Sequence, residues 1–331
     1  MAKLEDLEFL GIKLGSKCPL SCQHCHNSRS EYIFNNDILP WAKELPRLKR
    51  IRFRGGEPLL YWKTILKIVE YLGNDYSYSI TTSGCLLTEE MIDFFNNFNV
   101  KLNISYDGPE SKRDSKKPIL WNKLRKVSNI GIAAYTSGTK NVIAINRDTA
   151  ETLKKYSISK IYPEIDMPKI IHSTLNNRVE ITEDEFQTYV RTLKVVLEDE
   201  IKKLLNREIT ESHIVTNAVI TWLMEKNYFG VVCANNSTVT ITISGNVMLC
   251  PYSDIYIGDI YTGINMTKLN NYIPQKCKVC KLFRICRNTC IASDSTRECR
   301  VSQIFNEFLH EMEKKYNLDL IKLVTEKQRR T

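Results

Sequence analysis

No apolar run in this 331-residue chain approaches the ~20 residues that a membrane-spanning helix needs, so an integral helical membrane protein is excluded. The opening stretch MAKLEDLEFLGIKL lacks the apolar core of a signal peptide. There is no internal repeat and no low-complexity linker. A cytoplasmic protein without a membrane partner is expected, long enough for one large domain and a smaller one. Its hydrophobic content of 43% and charged content of 26% are ordinary for a globular chain.

What is abundant is cysteine. Eleven are present, an odd number, in two clumps. Cytosolic thiols are kept reduced, so clumping points to metal binding; the alternative, a disulfide-rich secreted domain, lacks its signal peptide.

From Phe9 to about Pro163, short apolar runs alternate with helical stretches. FLGIKL, RIRFRG, YSYSITTSG, KLNISYDG, GIAAYT and NVIAIN read as strands, and WKTILKIVEYLG and TEEMIDFFNNF as amphipathic helices. The alternation predicts βαβ units and a parallel α/β sheet, an open or partial barrel, with ligands at the carboxyl ends of the strands. Beyond this, a helix is expected over 182–206, opened by a capping box of Thr182 and Glu185, and a second over 211–226. VTITIS-GN-VMLC reads as a β-hairpin turning at Gly245–Asn246. A cysteine-rich loop region of little periodicity follows, and a last helix covers about 301–316.

Cys18, Cys22 and Cys25 form C-x3-C-x2-C directly after the first expected strand, a spacing that chance supplies roughly 0.01 times in such a chain. Three thiolates can hold three irons of a [4Fe–4S] cube and leave the fourth open to a cosubstrate. Zinc is the competing reading, with His24 or His26 as fourth ligand. After the second strand comes Arg54-Gly55-Gly56-Glu57-Pro58, a glycine turn followed by one carboxylate. Glycines there let backbone approach a ligand closely, and exposed carbonyls can bind an amino group.

Together these residues resemble the radical S-adenosylmethionine (SAM) superfamily, whose hallmarks are C-x3-C-x-Φ-C and GGEP; here His24 stands at Φ. The resemblance extends to Thr81-Thr82-Ser83-Gly84 and Ser105-Tyr106-Asp107-Gly108-Pro109. It implies a partial (β/α)6 barrel and SAM as cosubstrate, with Gly55, Gly56, Glu57, Pro58, His24, Ser83, Ser105 and Asp107 in its site. For Ser105 and Asp107 a capped strand end is the alternative. The chemistry implied is reductive cleavage of SAM to a 5′-deoxyadenosyl radical that abstracts hydrogen from substrate.

The second clump reads C-x11-G-x4-C over Cys233, Gly245 and Cys250, then C-x2-C-x5-C-x3-C over Cys277, Cys280, Cys286 and Cys290, then Cys299. Seven thiols are awkward for zinc, which takes four, and suit four for one cubane and three for another. The string resembles the SPASM domain at every spacing. That resemblance implies a distal cluster on Cys277, Cys280, Cys286 and Cys299, and a proximal one on Cys233, Cys250 and Cys290. The proximal cluster then has an open iron or borrows a non-cysteine ligand. Three [4Fe–4S] clusters would offset about four of the +9 net charge. The basic residues are also scattered, apart from the tail EKQRRT and the stretch Lys112 to Lys126, so the charge is a weak pointer to nucleic acid.

The expected organisation is a barrel over 1–165, a helical bridging region over 166–229 and a cysteine-rich auxiliary-cluster domain with its β-hairpin over 230–331. The resemblance implies an oxidoreductase acting on a peptide or protein, as in ribosomal-peptide maturation, by crosslinking, thioether formation, epimerisation or oxidation. A small metabolite or a nucleic-acid base is the alternative substrate, and a non-catalytic iron–sulfur carrier or sensor the alternative class. Sulfatase maturases carry Asp directly after the cysteine of G-x4-C; here Pro251-Tyr252 follow. Only Met1 to Glu8 precede the first strand, so a separate leader-recognition protein, or a substrate read without one, is expected, with a flavodoxin- or ferredoxin-type electron donor. Tyr252, Tyr106 and Cys85 are the candidates for acid, base or second hydrogen donor, with core packing as the alternative for each.

Overall fold

In the computed structural model, six parallel strands lie side by side in chain order: β1 (Phe9–Lys13), β2 (Arg50–Arg54), β3 (Ser77–Thr82), β4 (Lys101–Ser105), β5 (Ile130–Ala133) and β6 (Pro163–Glu164). The structure describes residues 4–22, 30–106, 119–133, 163–164, 183–206, 230–231, 234–235, 238–249, 251, 255–265, 267–268, 279–280 and 296–323. The first five strands match the expected runs. The strand expected over 141–146, the helix over 211–226, Thr182 and the Glu185 side chain lie outside the described residues.

Alternation along each strand divides the sheet into two unlike faces. One carries Leu10, Ile12, Ile51, Phe53, Tyr78, Ile80, Leu102 and Ile104, all buried in the main core. Helices cover it. In α2 (Trp62–Leu72), Ile65, Ile68, Val69 and Leu72 recur at i, i+3, i+4 and i+7 and are buried; in α3 (Glu89–Asn97), Met91, Ile92, Phe94 and Phe95 are. Each such side chain contributes about 1.5–3 kcal/mol of transfer free energy. Thr88 caps α3 by accepting the Met91 N–H at 3.2 Å, and Glu89 and Glu90 occupy the first turn, where the helix dipole favours carboxylates. Trp62 meets Phe94 and Phe95 edge-on, with ring centroids 5.0 and 5.5 Å apart.

The opposite face is polar. It carries Gly11 and Lys13 on β1, Arg52 and Arg54 on β2, Ser79 and Thr81 on β3, and Lys101, Asn103 and Ser105 on β4. This is the inner face of a partial barrel, and a core-packing role does not account for its composition.

Two short strands, β7 (Gly230–Val231) and β8 (Ala234–Asn235), pair antiparallel at the start of the C-terminal third. The hairpin expected there is present as β9 (Thr238–Thr242) and β10 (Asn246–Met248). Gly245 takes φ +92° in its turn, and Thr242 Oγ1 accepts the Asn246 N–H at 3.2 Å. The hairpin is joined to the barrel: β9 pairs in parallel with β1, from Phe9 opposite Thr238 to Lys13 opposite Thr242. A Cβ on Gly11 would lie 2.6 Å from Thr240 Oγ1, so the glycine admits the β9 side chain at this seam.

Several elements differ from the sequence reading. The stretch after the hairpin contains β11 (Tyr256–Asp259) and β12 (Gly263–Ile264), which extend the sheet, β11 antiparallel to β10 and β12 antiparallel to β11. They are too short to show a period, although Asp259, which accepts the Tyr261 and Thr262 N–H groups, is a turn former. A short helix, α1 (Ile38–Lys43), is not among the expected helices; its Pro40 sits in the first turn, where the missing N–H costs nothing. The C-terminal helix starts at Thr296, not at 301, because Thr296-Arg-Glu-Cys carries no apolar stripe. Following α4 (Trp121–Leu124), the remaining helices are α5 (Glu183–Leu205), as expected, and this C-terminal α6 (Thr296–Tyr316). Among the described residues no helix is long and apolar enough to cross a membrane.

α5 and α6 are tied at Glu198, which accepts from Lys315 Nζ at 2.9 Å and Tyr316 OH at 2.8 Å. The Lys315 bond first, then those from Tyr316 and Lys202, hold its carboxyl down at about 2. A carboxyl depressed on folding adds stability that is complete above its ordinary value of 4.5 and is lost as the pH falls toward 2. Glu198→Gln is therefore expected to flatten the acid limb of a thermal-stability profile between those values, as read by circular dichroism.

Candidate active site

The carboxyl ends of β1 and β2 feed two loops that pack directly on each other. Leu14 N donates to Arg54 O at 2.9 Å, Gly56 N to Gly15 O at 3.0 Å, and Glu57 N to Lys17 O at 2.8 Å. This places Gly55, Gly56, Glu57 and Pro58 against residues 14–17, immediately before Cys18. A Cβ on Gly55 would stand 2.6 Å from Gly15 O, and one on Gly56 would overlap the carbonyl oxygens of Ser16 and Lys17. The sequence pattern suggests glycines that admit a ligand; the close approach in the structure is to the neck of the cysteine loop.

Glu57 is wholly buried. Its Oε1 accepts from Leu59 N at 3.1 Å and Thr82 Oγ1 at 2.6 Å; its Oε2 accepts from Ser83 N at 2.8 Å and from Ser83 Oγ. The carboxylate thus binds the start of the Pro58–Tyr61 turn to the end of β3, fixing where Ser83 stands. Pro58 opens that turn with its ring buried. Ser83 Oγ is also 3.1 Å from the half-buried Cys85 thiol.

The neck of the cysteine loop has a second anchor. Glu31 Oε1 accepts from the Ser16 and Lys17 N–H groups, both at 3.0 Å, and the Tyr61 hydroxyl donates to Glu31 at 3.0 Å. Burial pushes the Glu31 carboxyl up, but the Ser16 N–H, the Tyr61 hydroxyl and the Lys17 charge outweigh it and hold the carboxyl below its ordinary value. Tyr61 is pushed up to about 12, first by burial and then by the Glu31 carboxylate. Lys13, at the end of β1, is fully buried with its Nζ 5.7 Å from the centre of the Tyr32 ring.

Cys18 and Cys22 are two accessible thiols on this loop, neither in a disulfide. Soft thiolates at this spacing suit an iron–sulfur cluster rather than a hard cation, so the donor set fits the cluster expected from the sequence. His24, Cys25 and Asp107 lie outside the described residues, as do Tyr252, Cys233, Cys250, Cys277, Cys286, Cys290 and the Cys299 side chain. Cys280 is exposed and free of disulfides. Ser105 is buried at the end of β4. Tyr106 follows it and packs edge-on against Trp121, with centroids 5.4 Å apart.

Glu31 and Tyr61 do not stand out in the sequence as site residues, and Thr82 does so only within Thr81-Thr82-Ser83-Gly84. Lys13 has a signal, as the one charge in an otherwise apolar strand run. Glu31 and Tyr61 are 30 residues apart, and no local pattern joins them.

Residues 12–127 match the family described as the Radical SAM superfamily. A curated relative, the radical SAM cyclopropyl synthase TigE of Paramaledivibacter caminithermalis, is 22% identical over 334 residues, covering 87% of this chain and 69% of that protein. Among solved structures, anSMEcpe with bound AdoMet aligns over 96% of this chain and 99% of its own, with TM-score 0.66 and 18% identity. Streptococcus suis SuiB bound to the precursor peptide SuiA aligns over 87% and 72%, with TM-score 0.57 and 14% identity. At these identities the likeness to solved structures is one of fold.

Proposed function

This chain carries a radical SAM domain and is an enzyme of that superfamily, and from that premise we propose that it modifies a peptide or protein. The supporting observation is the near end-to-end fold likeness to anSMEcpe, which has been solved with AdoMet and the Cp18Cys peptide; that alignment covers 97% of this chain at TM-score 0.63.

The radical SAM family implies one [4Fe–4S] cluster and SAM, and Cys18, Cys22 and Cys25 are the proposed ligands. When bound, this pair supplies an electron to the sulfonium and a 5′-deoxyadenosyl radical that takes hydrogen from a substrate carbon. The residues of the chain position and enclose. Gly55 and Gly56 bring the turn against the cysteine loop, and Glu57 sets Ser83 at the rim of the barrel. His24, Ser83, Ser105 and Asp107 are the remaining proposed SAM contacts. The polar inner face, with Lys13, Arg52, Arg54, Lys101 and Asn103, suits a polar chain. Asn103 Oδ1 is buried without a hydrogen-bond partner among the described residues.

The C-terminal cysteines are proposed to hold two further clusters in a SPASM-type domain from residue 230 onward, with Cys277, Cys280, Cys286 and Cys299 around one and Cys233, Cys250 and Cys290 around the other. Two features support this. Gly245, the glycine of C-x11-G-x4-C, is the positive-φ residue of the hairpin turn, and Cys280 is free of disulfides. A separate leader-recognition protein and a flavodoxin- or ferredoxin-type donor complete the proposal.

Anaerobic reconstitution with iron and sulfide, followed by SAM and dithionite, tests it. Release of 5′-deoxyadenosine, stimulated by a co-expressed candidate peptide that gains a mass shift, is the expected result. Absence of 5′-deoxyadenosine overturns the enzymatic reading, and cleavage indifferent to every peptide overturns the substrate class. About twelve irons per chain are expected; about eight would remove one auxiliary cluster.

A further inference from the structure

The fifteen-residue stretch from Ser16 to Ser30 holds all three cysteines of the triad, and its two ends are tied together at one point. On the entering side, the backbone N–H groups of Ser16 and Lys17 both donate to Glu31 Oε1 at 3.0 Å, and the Ser16 hydroxyl lies 3.3 Å from the same oxygen. Ser16 Oγ also donates to Ser30 O at 2.7 Å, so the strand leaving the loop is bound to the strand entering it. Tyr61 closes the arrangement from the third side. Its hydroxyl lies 3.0 Å from both Glu31 oxygens and accepts the Lys17 N–H at 3.0 Å. The ring occupies the space that a side chain on residue 15 would need: a Cβ on Gly15 would overlap the Tyr61 hydroxyl. Tyr61 is the last residue of the turn that begins at Pro58, so the knot also joins the cysteine loop to the glycine turn.

A loop that must present three thiolates to one cluster loses conformational freedom when the cluster forms, and fixing its ends beforehand removes part of that cost. We propose that Glu31 and Tyr61 are positioning residues that clasp the neck of the cysteine loop and hold it ready for its cluster. The inference rests on the proposed ligation by Cys18, Cys22 and Cys25. Glu31 acts as an acceptor for two converging N–H groups, and Tyr61 holds that acceptor in place while covering Gly15.

The test uses the full-length, anaerobically reconstituted protein. Iron release to an excess of a ferrous chelator is followed optically, and the dithionite-reduced electron paramagnetic resonance spectrum is recorded with and without SAM, which isolates the SAM-responsive cluster from any other. Glu31→Ala and Tyr61→Phe are expected to release the iron of that cluster about tenfold faster than wild type, the scale of one lost charge-assisted hydrogen bond, with an unchanged melting temperature for the apoprotein. The share of the signal that SAM shifts falls in parallel. Glu31→Gln keeps an acceptor oxygen for Ser16 and Lys17 and is expected to return most of the wild-type rate. Release from Glu31→Ala at the wild-type rate overturns the clasp, and so does a Glu31→Gln rate equal to that of Glu31→Ala. A Cys18→Ala/Cys22→Ala/Cys25→Ala protein separates the two levels of inference. If it loses no iron and keeps the SAM-responsive signal, the proposed ligand set itself falls.

Discussion

Glu57→Ala is expected to destabilise the chain by about 4 kcal/mol, because it removes the acceptor of two buried N–H groups and two hydroxyls at once. The hydroxyls of Thr82 and Ser83 can rotate toward other partners; Thr82 Oγ1 already accepts from Gly84 N at 3.1 Å and Ser83 Oγ lies beside Cys85. The N–H groups of Leu59 and Ser83 cannot. No water reaches a wholly buried position to replace the lost oxygens without opening the contact between the Pro58–Tyr61 turn and β3. Glu57→Gln retains one acceptor and turns an amide donor toward groups that are themselves donors, so about half the loss is expected. Urea unfolding of the apoprotein measures both. A double-mutant cycle with Ser83→Ala should show coupling of at least ~1 kcal/mol, since the two side chains share one bond pair. Additive losses would mean that the Ser83 hydroxyl adds nothing to the tie, which the Ser83 N–H and the Thr82 hydroxyl would then carry alone.

That result bears on how much of the site a sequence can reveal. RGGEP is legible as a motif because two glycines and a carboxylate close a strand at a fixed distance from three cysteines. Its physical work is less legible. Glu57 faces protein donors, and the glycines face the carbonyls of residues 15–17, contacts that depend on β1 and β2 pairing in register from Phe9 with Arg50 to Lys13 with Arg54. The strands themselves are readable from local chemistry: each apolar run is short, and several stop at Gly, Ser or Asn. So is the hairpin, since Gly245 supplies the positive φ that its turn requires. What no local pattern holds is the parallel seam of β1 with β9, formed between segments more than two hundred residues apart. The only trace in the sequence is Gly11, a residue without a side chain in the middle of a buried strand. Arg54 is a similar case. As an isolated letter it is an ordinary surface cation, and only the pairing of β2 with β1 puts it beside Lys13 on the inner face of the barrel.

The seam has a consequence for coupling between the two halves of the chain. Asn35, four residues past Glu31, donates through its backbone to Ile243 O at 2.8 Å and through its side chain to Tyr261 OH at 3.0 Å, while Tyr261 donates to Asp37 at 2.6 Å. The segment leaving the cysteine loop is therefore bound to the hairpin turn and to the β11–β12 connection. Strain placed on the neck of the loop has few directions in which to relax, because one end is fixed by Glu57 and Lys17 and the other by the hairpin.

Gly56→Ala places such strain directly, and loss of about four irons per chain is the expected outcome. The added methyl would overlap two carbonyl oxygens, those of Ser16 and Lys17, and backbone cannot swing aside as a side-chain tip can. Lys17 O is moreover the acceptor for Glu57 N, so relief of the clash breaks the bond that holds the turn to the loop. The turn and the neck must separate by a few tenths of an ångström or more, which moves Cys18 relative to the rest of its loop. The cost to global stability is expected to be modest, about 2 kcal/mol, since the hydrophobic core on the helix side of the sheet is not touched. Gly73→Ala is the matched control. Gly73 has φ +79° and ψ −158°, and a Cβ there would meet nothing within 4 Å, so alanine carries a backbone penalty of about 1–3 kcal/mol and no clash with a neighbouring segment. Iron analysis of both variants after identical anaerobic reconstitution, beside their urea midpoints, separates the two effects. Gly73→Ala should keep its iron while losing a little stability, and Gly56→Ala should lose iron out of proportion to its stability. Equal iron in the two would mean that the cysteine loop tolerates displacement of its neck, and that the glycine turn serves the cosubstrate alone.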